Sequence, residues 1–291
     1  MLESVAPSNL GLSETRLARV THWLEEQITS QRLAGASVLI GRRGEVGYVG
    51  TAGMADVERA TPFAEDTIVR IFSMTKPITS VAAMMLYEQG CFQLDDPVAK
   101  YLPEFAETKV WKGEGHSLAD VESQRSPMLI KHLLTHTSGL TYGFMNSNVV
   151  DEAYRARDLE FSGNRAALGQ CVEELASVPL VCQPGSQWNY SVSIDVLGRL
   201  VEIWSGQTLA KFFNDHIFVP LEMRDTGFFV APENQSRFAA LYSPLSGGDM
   251  SSVGSKSAPT AAQPRGGLKQ MESSIRSAYF KDPALYSGGG G

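Results

Sequence analysis

The sequence has no long apolar run. Its best candidate, Ser80 to Tyr87, falls far short of the roughly 20 residues that cross a bilayer. Positive charge is also short: 25 Lys and Arg face 32 Asp and Glu, for a net charge of -7. That is the wrong sign for a nucleic-acid binder, whose affinity comes from cationic contacts with phosphates. Cysteine is scarce, with three residues (Cys91, Cys171 and Cys182) and no C-x-x-C pair. An odd, unpatterned set suits reduced thiols in a cytosol. The start, Met1-Leu2-Glu3-Ser4, has neither the basic nor the apolar region of an export signal. The expectation is a cytoplasmic protein with no membrane and no nucleic-acid partner. No G-x-x-x-x-G-K-[ST] loop, Rossmann glycine pattern or G-x-S-x-G elbow occurs, so no cofactor is expected and the α/β-hydrolase route to an esterase is disfavoured.

What is present is a globular balance of 43% hydrophobic and 20% charged residues in 291, enough for one large domain or two ordinary ones. Leu17, Val20, Leu24 and Ile28 recur at helical spacing after Ser13, a plausible N-cap, with Gly35 as a stop. Ala36–Gly41 and Val46–Gly50 flank a polar turn and read as an antiparallel hairpin. Ser73 to Glu88 is helical again, and Leu94 to Phe105 reads as turns and one short helix. Ile130 to Thr135 and Ile194 to Trp204 are further helical runs, while Ser243 to Gly267 reads as a long linker. No later run stands out as a strand. A lone hairpin is marginally stable, so the layout suggests a chain cut within a larger fold.

Several residues could carry chemistry. Ser73-Met74-Thr75-Lys76 places Ser73 and Lys76 on one helix face, where a desolvated amine can take a hydroxyl proton. Spacing alone is weak, since about one such tetrad is expected by chance in a chain of this composition. Pro77 puts Ser73 within about a turn of the helix start, where free N–H groups favour an oxyanion. The alternative is a capping serine and a solvated lysine. Tyr190, just before a helical run, could place its phenol in a cleft as a base beside a lysine, or be a rim tyrosine. His132 and His136 have metal-pair spacing, but Leu133 replaces the glutamate of H-E-x-x-H, and helix-end hydrogen bonds fit better. Asp95-Asp96-Pro97 reads as a capping turn rather than a cation site.

Arg70 to Ser80 resembles the nucleophile segment of the serine β-lactamase superfamily, and most of all its branch of class C β-lactamases, D-alanyl-D-alanine peptidases and family VIII carboxylesterases. Leu94-Asp95-Asp96-Pro97-Val98, Tyr101-Leu102-Pro103, Ile130 to Leu140, Pro184-Gly185 through Ser191, and Pro220 to Phe228 are similar to later signposts in order. The resemblance covers about residues 10 to 245. It implies an α+β fold, with a helical domain inserted into an α/β domain with an antiparallel sheet. Expected parts are 1–79 (helix, hairpin and nucleophile-helix start), 80–245 (mainly helical) and 246–291 (linker and partial return to the α/β domain).

The resemblance further implies Ser73 as the acylated nucleophile, Lys76 as its proton partner and Tyr190 as base and acid. The Ser73 N–H would form half of an oxyanion hole. Apart from the resemblance, Tyr142 and Trp188 could line an apolar acyl or alcohol pocket, or equally be core residues. Val192 stands where class C enzymes usually carry an asparagine that binds the lactam side chain, and valine offers no hydrogen bond. That favours small esters over β-lactams, so the expectation is a carboxylesterase acting on a small-molecule ester. A β-lactamase or D-amino-acid peptidase is the alternative in the same chemistry, and a catalytically silent scaffold the alternative outside it. The family's glycine-containing third motif has no counterpart here; Tyr286 to Gly291 resembles the approach to the helix that precedes it.

Overall fold

A computed structural model describes residues 4–161, 167–245 and 267–290. The helical spacing after Ser13 forms α1 (Glu14–Thr29), followed by strands β1 (Gly35–Arg42), β2 (Glu45–Asp56) and β3 (Thr61–Pro62). Then come α2 (Thr75–Glu88) and the two-residue strands β4 (Val110–Trp111) and β5 (Val121–Glu122). Helices α3 (Ile130–Leu134), α4 (Val149–Ala156), α5 (Leu168–Ala176), α6 (Ser193–Ser205) and α7 (Leu209–Phe213) precede β6 (Leu241–Pro244) and β7 (Leu268–Glu272). Helices and antiparallel pairs thus share the chain, an α+β arrangement. No described helix is long and apolar enough to cross a membrane.

Contacts divide the chain into two units. The first takes described residues 4–70, 230–245 and 267–280; the second takes 71–161, 167–229 and 281–290. The division falls at 70/71, not at the expected 79/80, because the helix after Ser73 packs on helical neighbours. The return to the first unit comes at 230, within the stretch read as mainly helical.

In the first unit β1 pairs antiparallel with β2, with Gly35 opposite Gly53 and Arg42 opposite Glu45. Gly35 does not stop α1, which ends at Thr29. It opens β1 instead, where a Cβ would lie 2.5 Å from the Met54 carbonyl oxygen. Ser13 makes no side-chain cap; its carbonyl accepts from the Leu17 N–H at 2.9 Å. The later strands that the sequence hides are β6 and β7, an antiparallel pair. A proline ends β6, and Lys269 and Met271 of β7 are exposed, so neither shows an apolar alternation. Arg70 ties this pair in, bonding the Ala239 carbonyl at 2.7 Å and Glu272 at 3.1 Å, with Phe238 4.2 Å below its guanidinium. The linker expected over 243–267 lies outside the described residues between 246 and 266.

The second unit is built around α6, whose Ile194, Val196, Leu197, Leu200 and Val201 are at most 2% exposed. Burying each such side chain contributes about 1.5–3 kcal/mol. Phe92 stacks on Trp204 at 4.0 Å beside this helix. Between α2 and α3 the chain forms two 3-10 turns, Val98–Lys100 and Pro103–Ala106, where one short helix was expected. Asp96 fixes this stretch by accepting from the Gln93 N–H (2.9 Å), the Tyr101 hydroxyl (2.7 Å) and Lys100 (3.0 Å).

Those bonds, the Tyr101 hydroxyl first, hold the Asp96 carboxyl down at about 2, against an ordinary 3.8. A depressed carboxyl stabilises the fold above its unfolded value, and that share is lost as pH falls through the folded one. Urea denaturation over this acid window should show a shallower loss for Asp96→Asn than for the unsubstituted chain. Equal slopes would contradict this role.

Candidate active site

Pro77 is the third residue of α2, where its missing N–H costs no helical bond. The 3-10 turn Phe72–Met74 leads into the helix and presents Ser73 at its head. Phe72 takes a left-handed φ of 42°, a costly conformation for a bulky residue. One turn on, Lys76 is only 8% exposed. Its amine donates to Ser73 Oγ at 3.3 Å and to the Gly289 carbonyl at 2.5 Å.

The Tyr190 arm is held by the segment that follows α3. Asn189 N–H donates to the His136 carbonyl, Asn189 Nδ2 to the Leu140 carbonyl, both at 2.8 Å, and Val192 N–H to the Thr141 carbonyl at 3.2 Å. Ser193 hydroxyl bonds Ser138 and Ser191, each at 2.7 Å, and all three serines are fully buried. The stretch from His136 to Thr141, just after α3, is thus the clamp that aims the tyrosine.

These two devices converge. Tyr190 hydroxyl donates to Ser73 Oγ at 2.7 Å, and Lys76 Nζ lies 4.7 Å from the Tyr190 ring centre. Hydroxyl, amine and phenol form one hydrogen-bonded cluster.

Sequence reasoning missed the support behind Lys76. Asp195, on the buried face of α6 and 1% exposed, accepts from the Ser287 hydroxyl at 2.5 Å and the Gly289 N–H at 3.0 Å. Gly290 N–H donates to Ser287 Oγ at 2.9 Å, and Thr79 hydroxyl to the Gly288 carbonyl at 2.7 Å. Only glycines fit here: a Cβ on Gly288 would lie 2.6 Å from the Ile194 carbonyl oxygen, and one on Gly289 would strike the Asp195 carboxylate. Burial pushes the Asp195 carboxyl up, while Ser287, Gly289 and the Lys76 charge pull it down. The apolar run of α6 carrying one aspartate was the available signal.

The remaining candidates are placed as follows. Tyr142 is 6% exposed, stacked on Phe144 at 4.7 Å and tilted against Tyr190 at 5.2 Å, so it forms the wall behind the cluster. Burial first, and then Asp195, push its phenol well above the ordinary value. Trp188 is 63% exposed, its ring 6.4 Å from that of Tyr190. Val192 is corrected: it is fully buried at the N-cap of α6, a core side chain rather than a substrate contact. His132 Nδ1 accepts from the Leu129 N–H, and His136 Nδ1 pairs with Ser191 Oγ at 3.2 Å. Among the described residues no group of three or more His, Cys, Asp or Glu is arranged to hold a metal.

The chain belongs to the beta-lactamase family, whose profile matches residues 20–285. It is 38% identical over 248 residues to the esterase EstB of Burkholderia gladioli, covering 82% of this chain and 58% of that protein. It is 30% identical over 209 residues to monacolin J acid methylbutanoyltransferase of Aspergillus terreus, covering 69% of this chain and 49% of that enzyme. The chain therefore spans about half the length of the curated relatives it matches. Among solved structures, EstCE1, described as a hydrolase with promiscuous acyltransferase activity, superposes with a TM-score of 0.71 at 29% identity, over 95% of this chain and 68% of that one. The simvastatin synthase LovD of Aspergillus terreus does so with a TM-score of 0.71 at 26% identity, over 94% of this chain and 64% of that one.

His136 tests the electrostatics of the cluster. Burial, with the Lys76 charge second, lowers its imidazole to about 4, so it is neutral beside the amine above that pH. Its ring C–H resonances should titrate near that value, and should move upward in Lys76→Met. A midpoint at the ordinary 6.5 would refute the placement.

Proposed function

We propose that the chain carries the acyl-transfer centre of a serine hydrolase that cleaves small carboxylic esters. The observation that carries this reading is the Tyr190–Ser73 hydrogen bond of 2.7 Å with the Lys76 amine on the same oxygen at 3.3 Å. As arranged, phenol and amine both donate to Ser73. Attack needs the cluster one proton short, with a phenolate accepting from the Ser73 hydroxyl while the Lys76 ammonium stabilises its charge. Ser73 Oγ then bonds the ester carbonyl carbon, and its proton passes to Tyr190. The oxyanion is met by the Ser73 N–H at the head of α2. Tyr190 returns the proton to the departing alkoxide, leaving an acyl-Ser73. Water, deprotonated by the same phenolate, releases the acid and restores the serine.

Exposed Trp188 offers an apolar face beside Tyr190, which suits the apolar part of a small ester. The likeness to an esterase and to a methylbutanoyltransferase supports the same chemistry. The transferase likeness also favours a second reading, in which an alcohol replaces water in the last step.

The test compares short-chain p-nitrophenyl esters with nitrocefin. Ester hydrolysis should be much the faster, and Ser73→Ala should abolish it without lowering the melting temperature. Faster nitrocefin turnover, or ester turnover that survives Ser73→Ala, would overturn the reading.

A further inference from the structure

The segment 287–290 supplies a backbone acceptor to Lys76. One peptide group, between Gly289 and Gly290, faces both ways. Its carbonyl oxygen accepts from Lys76 Nζ at 2.5 Å, and its N–H donates to Ser287 Oγ at 2.9 Å. Ser287 hydroxyl in turn donates to Asp195 Oδ1 at 2.5 Å, and the Gly289 N–H reaches the same oxygen at 3.0 Å. The result is an unbroken line from ammonium to amide, hydroxyl and carboxylate. Each bond in such a line polarises the next, and in a low-dielectric interior the effect is not screened.

We infer that Asp195 and Ser287 are positioning residues for the reaction, acting on Lys76 through the Gly289–Gly290 amide. Two hydroxyl and amide donors converge on one carboxylate oxygen, which orients the amide, and the amide carbonyl then holds the amine toward Ser73. Without that hold, a lysine side chain has several rotamers open to it. The other polar and titratable groups around the amine are Ser73, Tyr142, Tyr190 and His136. Of these, Ser73 is the reacting oxygen itself, and Tyr142 and Tyr190 present ring faces to the amine. This inference rests on the ester-hydrolase reading for its kinetic consequence but not for its geometry.

The test uses Ser287→Ala, which removes one oxygen, and Asp195→Asn, each checked for a cooperative melt. With p-nitrophenyl butyrate, each should lower kcat roughly ten- to a hundred-fold while KM stays within about twofold. Because both act along one line, the double variant should be no slower than the worse single one, whereas independent losses would multiply. In a Lys76→Ala background, Ser287→Ala should bring no further loss. A folded Ser287→Ala chain with unchanged kcat, or losses that multiply, overturns the inference. If the unsubstituted chain shows no Ser73-dependent turnover, the hydrolase reading fails instead. The line is then judged by the 13Cε resonance of Lys76, which should move in Ser287→Ala; an unmoved resonance refutes it.

Discussion

The arrangement depends on a hydrogen bond that joins residues 117 positions apart, from the Tyr190 hydroxyl to Ser73 Oγ. A serine hydroxyl has no reactivity of its own at neutral pH, and a phenol placed 1 Å too far cannot exchange a proton with it. Both ends of the bond are therefore fixed by backbone rather than by side-chain choice. Ser73 sits on a strained turn whose preceding residue, Phe72, has a positive φ. Tyr190 sits on an arm laced to residues 136–141 by three backbone-directed bonds and a fully buried serine cluster. Such lacing removes the entropy that a free loop would lose on each encounter with substrate.

Lys76 is the third member, and its position has a different origin. A buried amine needs acceptors, and α2 cannot supply them, because the carbonyls of a helix are bonded within it. The glycine segment after Ser287 brings one in. It can approach only because Gly288 and Gly289 have no side chains to meet Ile194 and Asp195. The same closeness lets Thr79 on α2 and Asp195 on α6 hold successive glycines. Packing of the second unit and the chemistry proposed for it thus share the same few atoms.

Much of this was legible in the sequence. Periodicity gave α1, α2 and α6, and the turn between Arg42 and Glu45 gave the hairpin, because those signals are local. The ordered motifs point to Ser73, Lys76 and Tyr190, which the fold places within hydrogen-bonding reach. Strands β6 and β7 were hidden because short strands with mixed polarity take their partner from far along the chain. Val192 was misjudged for a related reason: its neighbour Tyr190 faces the cluster, but the chain turns into α6 between them and buries the valine. Asp195 and the glycine segment escaped because a lone buried aspartate and a glycine run each look ordinary until one is seen to hold the other.

The proposed chemistry is tested most directly by covalent labelling with a fluorophosphonate, read out by peptide mass spectrometry. The account predicts a single adduct on Ser73 whose rate of formation falls sharply in Lys76→Ala and in Tyr190→Phe. An adduct elsewhere, or labelling of Ser73 at an undiminished rate in both variants, would contradict it.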